Sequence, residues 1–158
     1  MIAVSYHSSS GVAGLVGLYR RVIKLPEHVP FSLVQLAARV AVAHVFWQSA
    51  QSKIASWPVT LQLFENEYNL PLIDPSIAAP LATAAEIAGS VLIFFGLFSR
   101  LAALMLLGVV SVIQIFVYPE NWAEHLLWAS LLLLVLTRGA GIFSLDYIAE
   151  RNLSASAR

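Results

Sequence analysis

Apolar residues run along this chain in four long stretches, separated by short segments where charge, proline and asparagine collect. The stretches run from Phe31 to Ala50, from Ile77 to Phe98, from Leu101 to Tyr118 and from Trp122 to Leu136. A helix rises about 1.5 Å per residue and a bilayer's hydrocarbon core is about 30 Å thick, so roughly 20 residues cross it. The fourth stretch is short, but it can add turns from Pro119 to Asn121 and from Thr137 to Gly139. The pattern predicts an all-α integral membrane four-helix bundle.

Between the first two stretches, residues 51–76 form the one sizeable loop. Pro58 after Trp57 suits the first turn of a helix, and Leu61, Phe64 and Tyr68 recur at helical spacing beside Glu65 and Glu67. A short helix lying in the outer interface is expected there, with Trp57 and Tyr68 at headgroup depth and Asn69 and Pro71 ending it. After the last stretch, Ser144 as cap and Asp146 in the first turn predict a brief terminal helix. Residues 1–30 read as an amphipathic or flexible lead-in. Its apolar run, Gly11 to Tyr19, is followed rather than preceded by Arg20 and Arg21, which is not the order of a signal peptide. Pro26 and Pro30 separate this lead-in from the first span. Residues 31–138 are then the bundle and residues 139–158 the tail.

Composition agrees with a lipid solvent. Of 158 residues, 59% are hydrophobic and 11% charged, and the mean hydropathy is +0.78. A soluble domain this short has too much surface to hide so much apolar material. The formal net charge is zero, so no nucleic-acid partner is expected. Cysteine is absent, which excludes disulfides, thiol redox pairs and iron–sulfur ligation. No cofactor is built in, and redox chemistry would require a borrowed carrier or a partner subunit.

Charge also sets the expected orientation. Arg20, Arg21 and Lys24 precede the first span, Arg100 sits in the turn between spans two and three, and Arg138, Arg151 and Arg158 follow span four. The opposite side offers only Lys53, beside Glu65, Glu67, Asp74, Glu120 and Glu124. Both termini should therefore face the cytoplasm.

Polar residues inside the spans are costly and mark candidate sites. They include Gln35, Arg39, His44 and Gln48 in the first span, Glu86 in the second, Gln114 in the third, and Glu124 and His125 opening the fourth. Counting about 1.5 Å per residue from the cytoplasmic ends puts Arg39 roughly 12 Å deep, and His44, Glu86, Gln114 and His125 roughly 18–20 Å deep. An ion pair between Arg39 and Glu86 is expected from these depths, either fixing helix register or serving a ligand. Helical spacing divides span one into a face with Gln35, Arg39, Ser49 and Lys53 and another with His44, Gln48 and Gln51. Without a His-x-x-x-His or Glu-x-x-His spacing, no metal site is expected. The segment Gly139-Ala140-Gly141 lacks a third glycine and follows no strand, so it is not a dinucleotide loop.

Several of these residues make the chain similar to the DoxX family of small bacterial inner-membrane proteins. They are Arg39 with Phe46-Trp47-Gln48-Ser49-Ala50-Gln51-Ser52-Lys53, Glu86, Gly96-Leu97-Phe98-Ser99-Arg100, Val117-Tyr118-Pro119 with Trp122, His125 and Trp128, and Gly139-Ala140-Gly141 through Ser144-Leu145-Asp146. Ala50 departs from the glycine many relatives carry. The resemblance implies a multi-pass protein of the bacterial inner membrane. Some relatives are small subunits of thiosulfate:quinone oxidoreductases, and others are linked to oxidative-stress complexes. The expectation is therefore a membrane subunit of a quinone-linked redox system, working with a partner redox subunit and a bound quinone. Arg39 and Lys53 would hold the quinone, and Glu86 and His125 would relay protons, with His44, Gln114 and Glu124 as further candidates. The alternatives are a non-enzymatic assembly or scaffold subunit, and a small-solute transporter that would have to be a homo-oligomer. Whether the chain is itself an enzyme stays open.

Overall fold

The computed structural model describes residues 9–24 and 29–156. Pro26, assigned above to the break before the first span, and Arg158, counted among the basic residues, lie outside them. Every regular element among the described residues is helical. They divide by contact into two units, one ending at Phe31 and one running from Ser32 onward. The first contains helix α1, Ser9–Lys24.

From its second residue on, α2, Phe31–Ala55, belongs to the second unit, and its 25 residues carry it past the apolar stretch to Lys53. Helix α3, Trp57–Leu63, has Pro58 in its first turn and continues into a π-helical turn, Phe64–Tyr68. Asn69 then adopts a left-handed conformation (φ 37°) and ends it. Helix α4, Pro75–Phe95, is capped by Asp74, whose carboxylate accepts from the Ser76 amide at 2.9 Å. These bonds hold the Asp74 carboxyl below its ordinary pKa. Helix α4 stops at Gly96, which takes φ +65°. A side chain there would meet the Arg39 guanidinium carbon at 2.8 Å and Ser144 Cβ at 2.5 Å, so only glycine fits.

Helix α5, Ser99–Val112, passes into a second π-helical turn, Ile113–Val117. Helix α6 spans Trp122–Arg138, and α7 spans Leu145–Ser156. The Ser144 hydroxyl accepts from the Tyr147 amide at 3.2 Å, making it the α7 cap.

One apolar core draws on α2, α4, α5 and α6: Val42 and Phe46, Ile93, Leu106 and Val110, and Leu132 and Val135. The ring of Phe46 meets Trp128 edge-on, with centroids 6.1 Å apart. A satellite core of Phe64, Ala78 and Ala79 seats α3 and the first π turn on the start of α4. Two helical segments are long and apolar enough to cross a membrane, Pro75–Phe95 and Ser99–Val117. Around the core the outer surface is itself apolar, with Leu81, Phe94, Leu101, Leu104, Leu126 and Leu127 all exposed. Contiguous exposed apolar surface of this kind needs lipid or another protein against it.

Candidate functional site

Helix α2 presents Gln35, Arg39 and Lys53 to the interior. Arg39, 1% exposed, donates from Nε to the Ile93 carbonyl at 2.8 Å and from Nη2 to Phe94 at 2.5 Å. Its Nη1 donates to the carbonyls of Ala140 and Phe143 at 3.0 and 2.7 Å. The guanidinium thus collects carbonyls left over at the C-terminus of α4 and along the 139–144 loop, groups that helical bonding cannot satisfy. One turn earlier, Gln35 Nε2 donates to the carbonyls of Arg138 and Gly139, both at 3.0 Å. The same loop delivers Asp146, which accepts from the backbone amides of Phe98 and Ser99 and from the Ser99 hydroxyl, and so caps α5.

The pair expected between Arg39 and Glu86 does not form. Glu86, also 1% exposed, binds Lys53. Lys53 Nζ lies 2.9 and 2.8 Å from the two carboxylate oxygens and 2.7 Å from Ser49 Oγ, which uses all its N–H donors. Ser49 in turn donates to Glu86 Oε1 at 3.2 Å. The physical reason is the lean of helical side chains toward their own N-terminus. Helices α2 and α4 run antiparallel, so Arg39 leans toward the C-terminal end of α4, away from Glu86. Lys53 and Glu86 lean toward each other.

Gln114 and His125 are brought together, with Nδ1 of the imidazole 2.7 Å from Gln114 Oε1. Gln114 Nε2 donates to the Pro119 carbonyl at 2.7 Å. Its oxygen therefore faces the ring, and Nδ1 must carry the proton. His125 is buried and packs its ring 5.2 Å from Trp128. Glu124, its neighbour, is exposed and takes no part in this contact.

A cluster that spacing along the chain did not reveal lies between the two π turns. Tyr118 donates to Glu67 Oε1 at 2.6 Å, and its ring meets Tyr68 edge-on at 5.8 Å. Burial raises the pKa of the Tyr68 hydroxyl. Tyr68 and Glu67 were legible as an amphipathic loop helix, but nothing in the loop pointed to Tyr118.

His44 stands apart from all of these. It lies on the other face of α2, where it lines a cavity of ≈ 390 Å³ with Val40, Ala43, Trp47, Ser90, Val91, Phe94 and Phe95. It is exposed there and bonds to none of the described residues. Ser90 turns its hydroxyl to the Ile87 carbonyl of its own helix at 2.9 Å. His44 is thus the one titratable side chain in an otherwise apolar lining. By contrast, no buried side-chain nitrogen or oxygen among the described residues lacks a partner. Arg39, Lys53, Glu86 and His125 are committed to the protein itself; His44 is available to a ligand.

A family model described as DoxX matches residues 34–119, from the first turn of α2 through the second π turn. No curated protein and no solved structure matches the chain.

Proposed function

The chain belongs to the DoxX family, and on that premise we propose that it is a quinone-binding membrane subunit of a redox or oxidative-stress system. It crosses the bacterial inner membrane four times as a helix bundle, with both termini in the cytoplasm. The observation carrying the quinone reading is the apolar cavity with His44 in its wall. A volume of ≈ 390 Å³ lies in the ordinary range for small-molecule sites.

The residues fit such a guest. A quinone head presents carbonyl acceptors, and His44 can donate an imidazole N–H to one of them. Val40, Val91, Phe94 and Phe95 give the isoprenoid tail an apolar wall and keep water from the head. A bound quinone would supply the two-electron chemistry that a chain without cysteine lacks. His44 is also the group in this lining that could pass a proton to or from the quinone head.

The expected outcome is near-stoichiometric quinone in lipid extracts of protein purified in mild detergent, identified by mass spectrometry. His44→Ala should lose it and retain the thermal midpoint of the parent, because His44 bonds to none of the described residues. Quinone retained equally by both proteins would overturn the assignment of the site, and none in either would remove the quinone reading.

The scaffold reading keeps one specific support. Arg39 spends its hydrogen bonds on backbone carbonyls of α4 and the 139–144 loop, which is the behaviour of a structural clasp.

A further inference from the structure

Helix α1 has a second chemistry of its own. Leu15, Leu18, Tyr19 and Val22 recur at the i, i+3, i+4, i+7 spacing of a single helical face, and all are more than half exposed. The first turn contains no acidic residue, and Arg21 and Lys24 occupy the last. At 100° per residue, Arg20 and Arg21 fall on either flank of the side opposite Leu15.

An apolar stripe of this width in water is unfavourable unless something covers it. Flanking arginines on a helix that carries no acidic residue favour a cover that is apolar within and anionic at its edge. We propose that α1 lies flat on the membrane surface as an anionic-lipid-binding helix. Its Leu15–Leu18–Tyr19–Val22 stripe sinks among the acyl chains, and Arg20 and Arg21 engage lipid phosphates. Arginine suits that role because its stem can follow the apolar surface while the guanidinium reaches a phosphate. This inference rests on the membrane placement of the chain and is independent of the quinone reading.

The absence of cysteine allows a direct test on the full-length protein. Leu18→Cys on the stripe and Gly17→Cys on the opposite side are each labelled with an environment-sensitive nitrobenzoxadiazole dye. The proteins are reconstituted in phosphatidylcholine vesicles with or without phosphatidylglycerol. Retention of the chain after carbonate extraction reports separately that the spans are inserted. A blue shift at position 18 alone, larger in anionic vesicles and reduced by salt, is expected. Each arginine near an anionic surface is worth ~1 kcal/mol, so Arg20→Gln with Arg21→Gln should weaken docking roughly 30-fold. The proposal is overturned by an unshifted dye at position 18, by equal shifts at both positions, or by a shift indifferent to lipid charge. The last outcome would indicate a protein surface covering the stripe.

Discussion

Lys53 and Glu86 show what a buried charge demands of its neighbours. Each removes the other's need for water, and Ser49 fills the remaining valence. Breaking one side of such a pair costs about 3–5 kcal/mol, whereas replacing both with apolar groups is often nearly neutral. Lys53→Met should accordingly lower stability by about 3 kcal/mol, and adding Glu86→Leu should recover most of the loss. Thermal unfolding in detergent checks this, and single variants within ~0.5 kcal/mol of the parent would mean that water already reaches the pair. The sequence marked Glu86 as a costly residue but paired it with Arg39 and left Lys53 to the outer side, because depth was counted at Cα positions. Side-chain lean adds several ångströms in opposite directions on antiparallel helices, and that changes the partner. The loop carbonyls that hold Arg39 were beyond reach for a different reason: a carbonyl belongs to every residue and leaves no mark in the sequence. Gly96 was the nearest signal, since its missing side chain makes room for the guanidinium.

At the scale of elements, hydropathy located the helices and capping chemistry set their ends. The second apolar stretch ends at Phe95 rather than Phe98 because Gly96 turns left-handed. Helix α2 runs on to Ala55 past the end of the apolar stretch, and of its added polar residues Lys53 is turned inward. The π turns were not legible, since one extra residue per turn leaves hydropathy unchanged over five positions. Helix α4 buries the small residues Ala79 and Gly89, and Gly89 shows how close that face comes to its neighbour. A Cβ there would sit 2.5 Å from Leu106 Cδ2 and 2.6 Å from Cγ, and Leu106 is fully buried with no room to yield. Gly89→Ala gains helix propensity of ~1 kcal/mol but forces an overpacked contact costing ~1–3 kcal/mol. The expected result is a net loss of thermal stability. In a Leu106→Ala background the same substitution should become neutral or stabilising. A gain in the parent background would show that α4 and α5 can separate at little cost.

For the molecule as a whole, two segments qualify as spans on length and apolarity, and the proposal of four depends on α2 and α6. The polar interior face of α2 lowers its average apolarity, and α6, at 17 residues, is short for a span. Arg39, Lys53 and Gln35 of α2 are buried, while Val34, Val40, Trp47 and Ile54 are exposed. Helix α6 likewise buries His125 and exposes Leu126, Leu127 and Leu133. Averaging over a helix mixes a face that meets protein with one that meets lipid. The structure also sharpens the orientation rule, which counts basic residues free to interact with the cytoplasmic surface. Lys53, the one basic residue expected outside, is neutralised by Glu86, so it carries little weight against the proposed orientation. Glu65, Asn66 and Glu67 are exposed in the 51–76 loop. A cysteine at Asn66 should react with a membrane-impermeant maleimide in intact spheroplasts, whereas one at Leu153 of α7 should react only after permeabilisation. Reaction at both positions in intact cells would require an even number of crossings between α3 and α7, whereas four spans place three there. Labelling of Leu153 alone would invert the bundle and place the 51–76 loop in the cytoplasm.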